Sequence, residues 1–415
     1  MEINEVKPVM GSEYLDQRLA CFGVNLEVLM PAFLSKVFVT GADEMSIELG
    51  VCGCTKCGLT FLNPRMKMAT LVNYYTKQSR IPRTELNASS PFALLMESQI
   101  DFIANHKSIR GGMKVLEIGC AEGFFLESLN RRFHNDLVLY GVELSERYLL
   151  QASRILRQSS TLLATPIEIA EFGDVKFDLI VMRHVLERLT SPADTLKKLR
   201  EILAPEGLLY IEVPDSHNIK PSLTSFYHHE HLLYFTIPVL NNHLKANGLS
   251  PMVSERFDAN PDGSGFAYPV IRSLSGSGPH GQLELLPGHA HSTYLINIAQ
   301  NDAAFVNLLK SARLRLRRAV SHNAKIGIFG AGPHTMEILR LLRDDDISWN
   351  KIFDNNPDKQ GKLLLGIPIV KPDKVSLASV NCIFISSAEF EKEMVEQIHA
   401  LVGSTIEIIR IYDNS

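Results

Sequence analysis

One strand followed by a turn of small residues constrains the fold of this chain more than any other feature. Residues 113–123 read Met-Lys-Val-Leu-Glu-Ile-Gly-Cys-Ala-Glu-Gly, an apolar strand that ends in a turn with small residues at Gly119, Ala121 and Gly123. The residues that follow, 124–129, are typical of the start of a helix. Residues without bulk let a ligand approach the backbone. Strand, turn and helix together therefore predict a cradle for a nucleoside or a phosphate in an α/β fold.

Strand and helix patterns alternate beyond this turn, as a parallel sheet with crossover helices requires. We expect strands over 113–118, 137–142, 178–182 and 207–213, and helices over 123–132, 145–157 and 192–203. A loop rich in Gly, Ser and Pro is expected over 260–287, and a second strand, glycine turn and helix begins at Lys325. The two glycine turns are spelled differently, so the chain predicts two Rossmann-like units and not a sequence repeat.

Length and composition limit the classes of function. At 415 residues the chain exceeds one ordinary core, so two or three domains are expected. A net charge of −4 argues against nucleic acid as a partner. No apolar stretch approaches the roughly 18–20 residues that span a bilayer, and the N-terminus lacks an apolar signal core. We therefore expect a cytoplasmic protein with a small-molecule substrate and no membrane partner, whose six cysteines are thiols or metal ligands.

Three segments, in the same order along the chain, resemble those of class I S-adenosylmethionine-dependent methyltransferases. The glycine turn resembles their motif I, and an acidic residue ends the next strand, where a carboxylate can accept both ribose hydroxyls of a nucleoside. Residues 176–189, Lys-Phe-Asp-Leu-Ile-Val-Met-Arg-His-Val-Leu-Glu-Arg-Leu, resemble the family's fourth strand. In the family an acidic residue after the third strand contacts the adenine amino group. This residue is not evident in 163–169, so the adenine contacts remain unassigned. The resemblance implies S-adenosylmethionine as cofactor, bound by Glu117, Gly119, Ala121, Gly123, Glu143, Arg183 and His184.

A histidine-rich segment over 225–236 reads Ser-Phe-Tyr-His-His-Glu-His-Leu-Leu-Tyr-Phe-Thr. It resembles the Tyr-His-Glu-His segment of sugar C-methyltransferases, which act on nucleotide-linked keto-deoxysugars. In that family the last histidine removes a proton from the carbon beside a ketone, and histidine suits this role because its pKa lies near operating pH. The resemblance implies a catalytic group of His231 as the base with Glu230, His228 and Tyr227.

Two departures from the family pattern leave alternatives open on the acceptor side. The family tyrosine falls on His228, and the family's Gly-Gly-Ser-Leu-Arg segment is replaced by residues 262–268. A hydroxyl acceptor is therefore an alternative, as is a polar histidine loop that packs on a sheet edge. Residues 73–79 resemble the family's tyrosine-rich segment, which implies that Tyr74 or Tyr75 binds the substrate; half-buried aromatics on a linker are the alternative.

The C-terminal segment resembles the same family. It carries Asp-Asn-Asn-Pro-Asp-Lys-Gln-Gly over 354–361 and Gly-Ile-Pro-Ile-Val over 366–370, both after the second glycine turn. The resemblance implies that this domain holds the nucleotide part of the acceptor and not a redox cofactor, whereas a folded domain without a ligand is the alternative. The implied substrate-binding residues are Gly330, Gly332, Asp354 and Lys359.

A cysteine motif, Cys54-Thr-Lys-Cys57-Gly, is typical of a zinc knuckle, because its tight turn aims two thiolates at one metal. Family members pair it with a second Cys-x-x-Cys, which this chain lacks. Zinc is a possible cofactor, with Cys21, Cys52, Cys54 and Cys57 as ligands, and a knuckle that has lost its metal is the alternative.

The sequence thus predicts an α/β protein of three parts. These are a cysteine-bearing module over 1–65, a class I methyltransferase domain over 66–255 and a Rossmann-like, nucleotide-binding domain over 256–415. The predicted function is methylation of a nucleotide-activated keto-deoxysugar at carbon, in carbohydrate biosynthesis. An O-methyltransferase of a sugar or another polar metabolite is one alternative, and a non-catalytic nucleotide-sugar binding protein is another.

Overall fold

The computed structural model divides the chain into two compact units, one mainly of residues 36–217 and 228–295 and the other mainly of residues 296–415. The structure describes residues 15–16, 26–40, 43–54, 57–77, 82–134, 136–156, 160–217, 226–258, 268–281, 307–322, 324–332, 334–335, 338–339, 342, 345, 347–357, 359–387 and 390–412. Within these residues, no helix combines the length and apolar character that crossing a bilayer requires.

Several strands and two helices of the described residues precede the main sheet of the larger unit in the chain. They are β1 (Leu15–Asp16), β2 (Leu26–Thr40), β3 (Asp43–Cys54), β4 (Thr60–Leu62), β5 (Arg65–Met66), α1 (Met68–Lys77) and α2 (Pro91–His106). Helix α2 begins where the sequence supplies a cap: the Ser90 side chain accepts a hydrogen bond from the Ala93 N–H at 3.2 Å, and Pro91 occupies the first helical position.

The main sheet of the larger unit alternates with helices as the sequence predicts. The elements of this part of the chain run β6 (Lys114–Ile118), α3 (Phe124–Arg132), β7 (Val138–Val142), α4 (Glu146–Leu156), β8 (Ser160–Leu163), β9 (Phe177–Arg183), α5 (Pro192–Ile202), β10 (Leu203–Pro214), β11 (Leu233–Tyr234), α6 (Ile237–Ala246), β12 (Leu249–Phe257) and β13 (Val270–Ser277). All of these strands except β11 belong to the main sheet. The strand order is β12-β13-β10-β9-β6-β7-β8. Strands β8, β7, β6, β9 and β10 are parallel to one another. Strand β13 pairs antiparallel with β10 on one side and with β12 on the other. The predicted α/β, Rossmann-like fold is confirmed.

The core of this sheet follows from the residues of its central strands. In β9, Leu179 and Val181 are fully buried on one face, against Phe125 and Leu129 of α3. Parallel strands covered on both faces are apolar throughout, which is why this segment reads as a continuous hydrophobic run. Burial of each such side chain contributes about 1.5–3 kcal/mol.

Two sequence-based expectations differ from the structure. The expected loop over 260–287 contains β13, whose residues Val270, Ile271 and Leu274 are fully buried. The sheet therefore continues past residue 256, where the sequence placed a domain boundary. The strand expected over 207–213 begins earlier, at Leu203 of β10, and its register against β9 shifts between Leu203 and Leu208. The domain boundaries remain predictions.

The hairpin of β3 and β4, which carries Cys52, Cys54 and Cys57, lies in a second sheet together with the histidine-rich segment. That sheet has the order β11-β4-β3-β2, and Leu233 of β11 pairs with Phe61 of β4. Two backbone hydrogen bonds extend the contact: the Leu62 N–H donates to Leu232 O at 3.0 Å, and the Leu232 N–H donates to Glu187 O at 2.8 Å.

The smaller unit contains a six-stranded sheet of its own. Its elements are a helix α7 over 307–321, then β14 (Ile326–Phe329), β15 (Trp349–Phe353), β16 (Leu363–Leu364), β17 (Ile367–Val370), α8 (Lys374–Leu377), β18 (Cys382–Ile385), α9 (Glu391–Val402) and β19 (Glu407–Ile409). The strand order is β16-β17-β15-β14-β18-β19, and every pairing is parallel except β16 with β17. This is the topology of a Rossmann-like unit, whose ligands bind at the carboxyl ends of the strands.

Candidate active site

A cavity of 360 Å³ opens at the carboxyl ends of β6, β7 and β9. This is the edge of a doubly wound sheet where ligands bind. Five of the seven residues that the sequence assigns to the methyl donor line it: Gly119, Ala121, Glu143, Arg183 and His184.

The glycine turn has a backbone that most residues cannot adopt. Gly119 has φ +72°, and a Cβ atom there would lie 2.6 Å from Cγ2 of Val185. Ala121 also has a positive φ, 45°, and its N–H donates to Oε2 of Glu143 at 3.1 Å. Left-handed conformations in residues other than glycine cluster at functional sites. The turn is therefore held open toward the cavity by Glu143 at the end of β7.

Glu143 is fixed by backbone donors. Besides Ala121, its carboxylate accepts hydrogen bonds from the N–H groups of Leu144 at 2.8 Å and Ser145 at 3.0 Å. Burial raises the pKa of Glu143, and these three N–H groups oppose the rise. The carboxylate faces the cavity at the position where the sequence expects contact with ribose.

The two remaining donor-assigned residues lie behind the cavity wall. Glu117 is fully buried and forms an ion pair with Arg183 at 2.6 Å. Burial raises the pKa of Glu117 to about 7, although Arg183 opposes the rise. Gly123, with φ +82°, begins α3 where a Cβ atom would lie 3.1 Å from Leu156 of α4. Glu117 thus positions Arg183, and Gly123 permits close packing.

The loop after β8 supplies a residue that the sequence reading missed. Residues 165–168 line the cavity, and Oε1 of Glu168 is buried without a hydrogen-bond partner among the described residues. Glu168 comes five residues after Leu163, the last residue of β8, whereas an acid directly after the strand was expected. The signal available in the sequence was the glutamate itself, at the end of Thr-Pro-Ile-Glu.

The structure brings the two predicted acceptor segments together. Tyr74 donates its hydroxyl hydrogen bond to Oε1 of Glu230 at 2.8 Å, across 156 residues of sequence. Arg188 lines the cavity, donates to the Tyr75 hydroxyl at 3.2 Å and pairs with Oε2 of Glu230. Its other terminal nitrogen lies 3.3 Å from Nε2 of His231. Tyr75 and Arg188 therefore connect the cavity to the histidine segment. We name Tyr74, Tyr75, Arg188, Glu230 and His231 the acceptor cluster.

Arg188 was not singled out from the sequence, and it contributes to lowering the pKa of two neighbours, Glu230 and His231. Burial raises the pKa of Glu230, but Arg188 outweighs it and holds that pKa at about 2. Burial, with the nearby His228 and Arg188, lowers the pKa of His231 well below its usual value. Because a guanidinium only donates, its hydrogen bond to Nε2 places the proton of neutral His231 on Nδ1.

His228, another residue of the predicted catalytic group, lies beside the acceptor cluster. Its ring lies 3.9 Å from that of His231, and burial lowers the pKa of His228 to about 3. Tyr227 is buried. Of the segment that departs from the family pattern, residues 262–267 lie outside the described residues, and Tyr268 presents its ring edge-on to His231 and His184 at 6.3 and 6.5 Å. The catalytic roles of His228 and Tyr227 remain predictions.

The cysteines do not form a metal site within the described part of the chain. Cys52, Cys54 and Cys57 are buried, and Cys21 lies outside the described residues. Among the residues that the structure describes, no three His, Cys, Asp or Glu side chains are placed to hold a metal ion. Burial also raises the pKa of Cys52, which disfavours the thiolate that a metal requires. The described donors therefore do not fit zinc.

The four residues predicted in the smaller unit gather after β14 and β15. Gly330 has φ +104° and follows β14, and a Cβ atom at Gly332 would meet no described atom within 4 Å. Asp354 accepts from the Ala331 N–H at 2.7 Å and from Lys359 at 3.1 Å. Burial raises the pKa of Asp354, but these donors outweigh it and lower the pKa overall.

Comparison with known proteins agrees with this geometry. Residues 93–254 match the family described as Methyltransferase domain, and residues 322–409 match the family described as C2185-like, N-terminal. Over 168 residues the chain is 25% identical to a Ubiquinone biosynthesis O-methyltransferase of Neisseria meningitidis serogroup C, strain 053442, covering 38% of this chain and 68% of that protein. Over 139 residues it is 24% identical to a protein of the same name from Idiomarina loihiensis, covering 32% and 56%.

Solved structures of methyltransferases are similar to part of the chain. The N-methyltransferase NodS from Bradyrhizobium japonicum WM9, in complex with S-adenosyl-L-homocysteine, is 19% identical with a TM-score of 0.36, covering 46% of this chain and 90% of that chain. The 1,6-didemethyltoxoflavin-N1-methyltransferase of Burkholderia thailandensis is 18% identical with a TM-score of 0.36, covering 44% and 78%.

The family match falls on the segment that forms the main sheet and carries the glycine turn. Residues 93–254 are thus a class I S-adenosylmethionine-dependent methyltransferase domain. The protein is an S-adenosylmethionine-dependent methyltransferase, and S-adenosylmethionine is its cofactor.

Proposed function

We propose that this protein transfers a methyl group from S-adenosylmethionine to a carbon atom beside the ketone of a nucleotide-linked sugar. The observation that supports this most is the acceptor cluster. It joins two segments that the sequence assigned independently to the acceptor, and it reaches the cavity through Tyr75 and Arg188. A neutral histidine, a tyrosine hydroxyl and an arginine are suited to a polar, oxygen-rich acceptor.

In this proposal the cavity binds the donor through both acidic and basic side chains. Glu143 accepts the ribose hydroxyls, and the glycine turn lets the donor approach the backbone. Glu168 offers its buried oxygen to the adenine amino group. Arg183, held by Glu117, faces the cavity as a cation and is suited to the donor's carboxylate.

The proposed chemistry needs a base, and His231 is the candidate. Its lowered pKa leaves it neutral at pH 7, so Nε2 can take a proton once the acceptor replaces Arg188 as its hydrogen-bond partner. The acceptor C–H bond breaks, and its electron pair forms the new bond to the methyl carbon. The bond between that carbon and sulfur breaks, and its pair stays on sulfur as a neutral thioether. The substitution His231→Asn is expected to lower kcat by about 10²–10⁴-fold.

We further infer that the smaller unit binds a nucleotide. Gly330 and Asp354 lie at the carboxyl ends of parallel strands, where a Rossmann-like sheet binds nucleotides. Lys359 adds a cation beside Asp354 that is suited to a phosphate. Calorimetry with nucleoside diphosphates tests this inference. We expect weaker binding in Lys359→Gln and unchanged binding in Lys362→Gln, an exposed lysine of the same segment.

Methylation of oxygen is the second candidate function. It is favoured by the names of two relatives, both O-methyltransferases, although each shares only about a quarter of its residues with this chain. A positioned hydroxyl is already close to reactive, so this chemistry depends less on a base.

Mass spectrometry of the 415-residue protein with S-adenosylmethionine and a panel of nucleotide-linked sugars, including 4-keto-6-deoxy forms, tests the proposal. We expect a product that is heavier by one methyl group, with the group on carbon in its fragmentation. Incorporation of deuterium at that carbon in heavy water supports removal of a proton from carbon. A methyl group on oxygen supports the second candidate. Donor binding without any methylated product contradicts the nucleotide-sugar proposal.

A further inference from the structure

One buried carboxylate of the site has no role in the proposed chemistry. Glu187 follows β9 in a short 3₁₀ turn over 186–188, and 1% of its surface is exposed. Neither of its carboxylate oxygens has a hydrogen-bond partner among the described residues. An ionised carboxylate is rarely buried unless opposite charges surround it.

Three nitrogen atoms of basic side chains surround Oε1 of Glu187. Nε of Arg188 lies at 3.4 Å, Nδ1 of His184 at 3.6 Å and Nε2 of His231 at 3.8 Å. One oxygen atom therefore lies within ion-pair distance of two histidines that the sequence assigned to different tasks, His184 to the donor and His231 to the acceptor.

The environment moves the pKa values of the two histidines in opposite directions. Burial disfavours the charged form of His184, but its contacts with Glu187 and with Glu212, the latter at 3.4 Å, outweigh burial and raise its pKa. Burial and the neighbouring cationic groups instead lower the pKa of His231. When the environments of two titratable groups move their pKa values apart, the groups are suited to different roles in proton transfer.

Methyl transfer moves a positive charge within this site. Before the reaction the charge is on the sulfonium of the donor. Afterwards the sulfur is neutral, and the proton taken from the acceptor is on the base. For His231 this means that an imidazolium forms beside the guanidinium of Arg188, which lies 3.3 Å from its Nε2. Such an ion is unfavourable in a buried site unless an anion contacts it.

We propose that Glu187 is the counter-ion of the imidazolium that His231 becomes during methyl transfer, and that the same carboxylate oxygen also contacts His184. The inference rests on the function proposed above. Glu187 touches neither donor nor acceptor in this step; it acts through His231 and is a positioning residue. The proton goes from the acceptor to His231, and Glu187 remains a carboxylate throughout.

The variants Glu187→Gln and Glu187→Asp test this role in the 415-residue protein. The glutamine keeps the shape and removes the charge, so we expect kcat to fall by about 10²-fold, the lower end of what proton transfer by a side chain contributes. Donor affinity and KM for the acceptor should stay near their wild-type values. The aspartate keeps the charge and should recover part of kcat. Glu97→Gln, which removes an exposed carboxylate paired with Arg132, should behave as wild type.

Histidine titrations by NMR give a readout that a merely structural role does not move. With the anion removed, the pKa values of both His184 and His231 should fall in Glu187→Gln and stay near wild type in Glu187→Asp. Unchanged titrations in the glutamine variant, or a wild-type kcat, would overturn the proposal. These titrations need neither donor nor acceptor. If no acceptor is methylated, the proposed function fails, and the titrations still decide the role of Glu187.

Discussion

The donor half and the acceptor half of this site are held in place by different means. The donor half depends on backbone: Gly119 has a left-handed φ, and Glu143 is fixed by three backbone N–H groups. The acceptor half depends on side chains, because Arg188 holds Glu230 and His231 through its guanidinium. A site held by the backbone depends on a few residues that are neighbours in the sequence. A site held by side chains depends on segments that only the folded chain brings together.

The largest expected effect separates the two halves at His231. The substitution His231→Asn removes the proposed base, and kcat should fall by about 10²–10⁴-fold, the usual contribution of general acid–base catalysis. Donor affinity should stay near wild type, because His231 belongs to the acceptor cluster and is not among the described residues that line the cavity. Initial rates and calorimetry measure the two quantities. His106→Gln, at the end of α2, is the control; equal rates in both variants would exclude His231 as the base.

The next effect is on the donor half alone. Glu143→Ala removes two charged hydrogen bonds to ribose, each contributing about 1.5–3 kcal/mol, so donor affinity should fall by about 10²-fold or more. It also frees the N–H of Ala121, which loosens the glycine turn. Calorimetry with S-adenosylhomocysteine measures the loss. Glu146→Gln, three residues further on in α4, should bind normally. Retained affinity in Glu143→Ala would show that the donor does not use this carboxylate.

A pH effect extends the comparison to Glu212, a buried carboxylate that contacts the donor-assigned His184. Burial raises the pKa of Glu212, but contacts with His184 and Arg272 outweigh it and hold the pKa at about 2, below its ordinary 4.5. A lowered pKa stabilises the fold above pH 4.5, and this stabilisation is lost as pH falls toward 2. Urea unfolding of wild type between pH 7 and pH 2 should show a loss of about 1–3 kcal/mol that Glu212→Gln lacks. Parallel curves for the two proteins would contradict this assignment.

The smallest expected effect concerns adenine. Glu168→Ala removes one acceptor for the adenine amino group, and a hydrogen bond of about 1 kcal/mol corresponds to a roughly fivefold loss of donor affinity. A donor analogue without that amino group should bind wild type and Glu168→Ala equally. If the substitution weakens binding of the donor and of the analogue to the same extent, Glu168 supports the conformation of the loop and does not bind the adenine amino group.

The same contrast explains what the sequence could predict. The glycine turn, Glu143 and the strand pattern were predictable because local backbone geometry demands particular residues at fixed spacing. The roles of Arg188 and Glu187 could not be predicted in this way, because both depend on contact with His231. That histidine lies 43 residues after Arg188 in the chain. Strand β13 was also missed, since its flanks are rich in Gly, Ser and Pro and outweigh a short run such as Val270–Leu274.

The pairing of β11 with β4 makes the N-terminal hairpin a structural support of the catalytic segment. Leu232, next to His231, is hydrogen-bonded on one side to Leu62 of the hairpin and on the other to Glu187. The hairpin thus supports the backbone next to the proposed base. A protein that begins after residue 67 would retain the whole donor cavity and lose the strand against which the histidine segment is aligned. Methyl-donor binding would survive such a truncation better than methyl transfer.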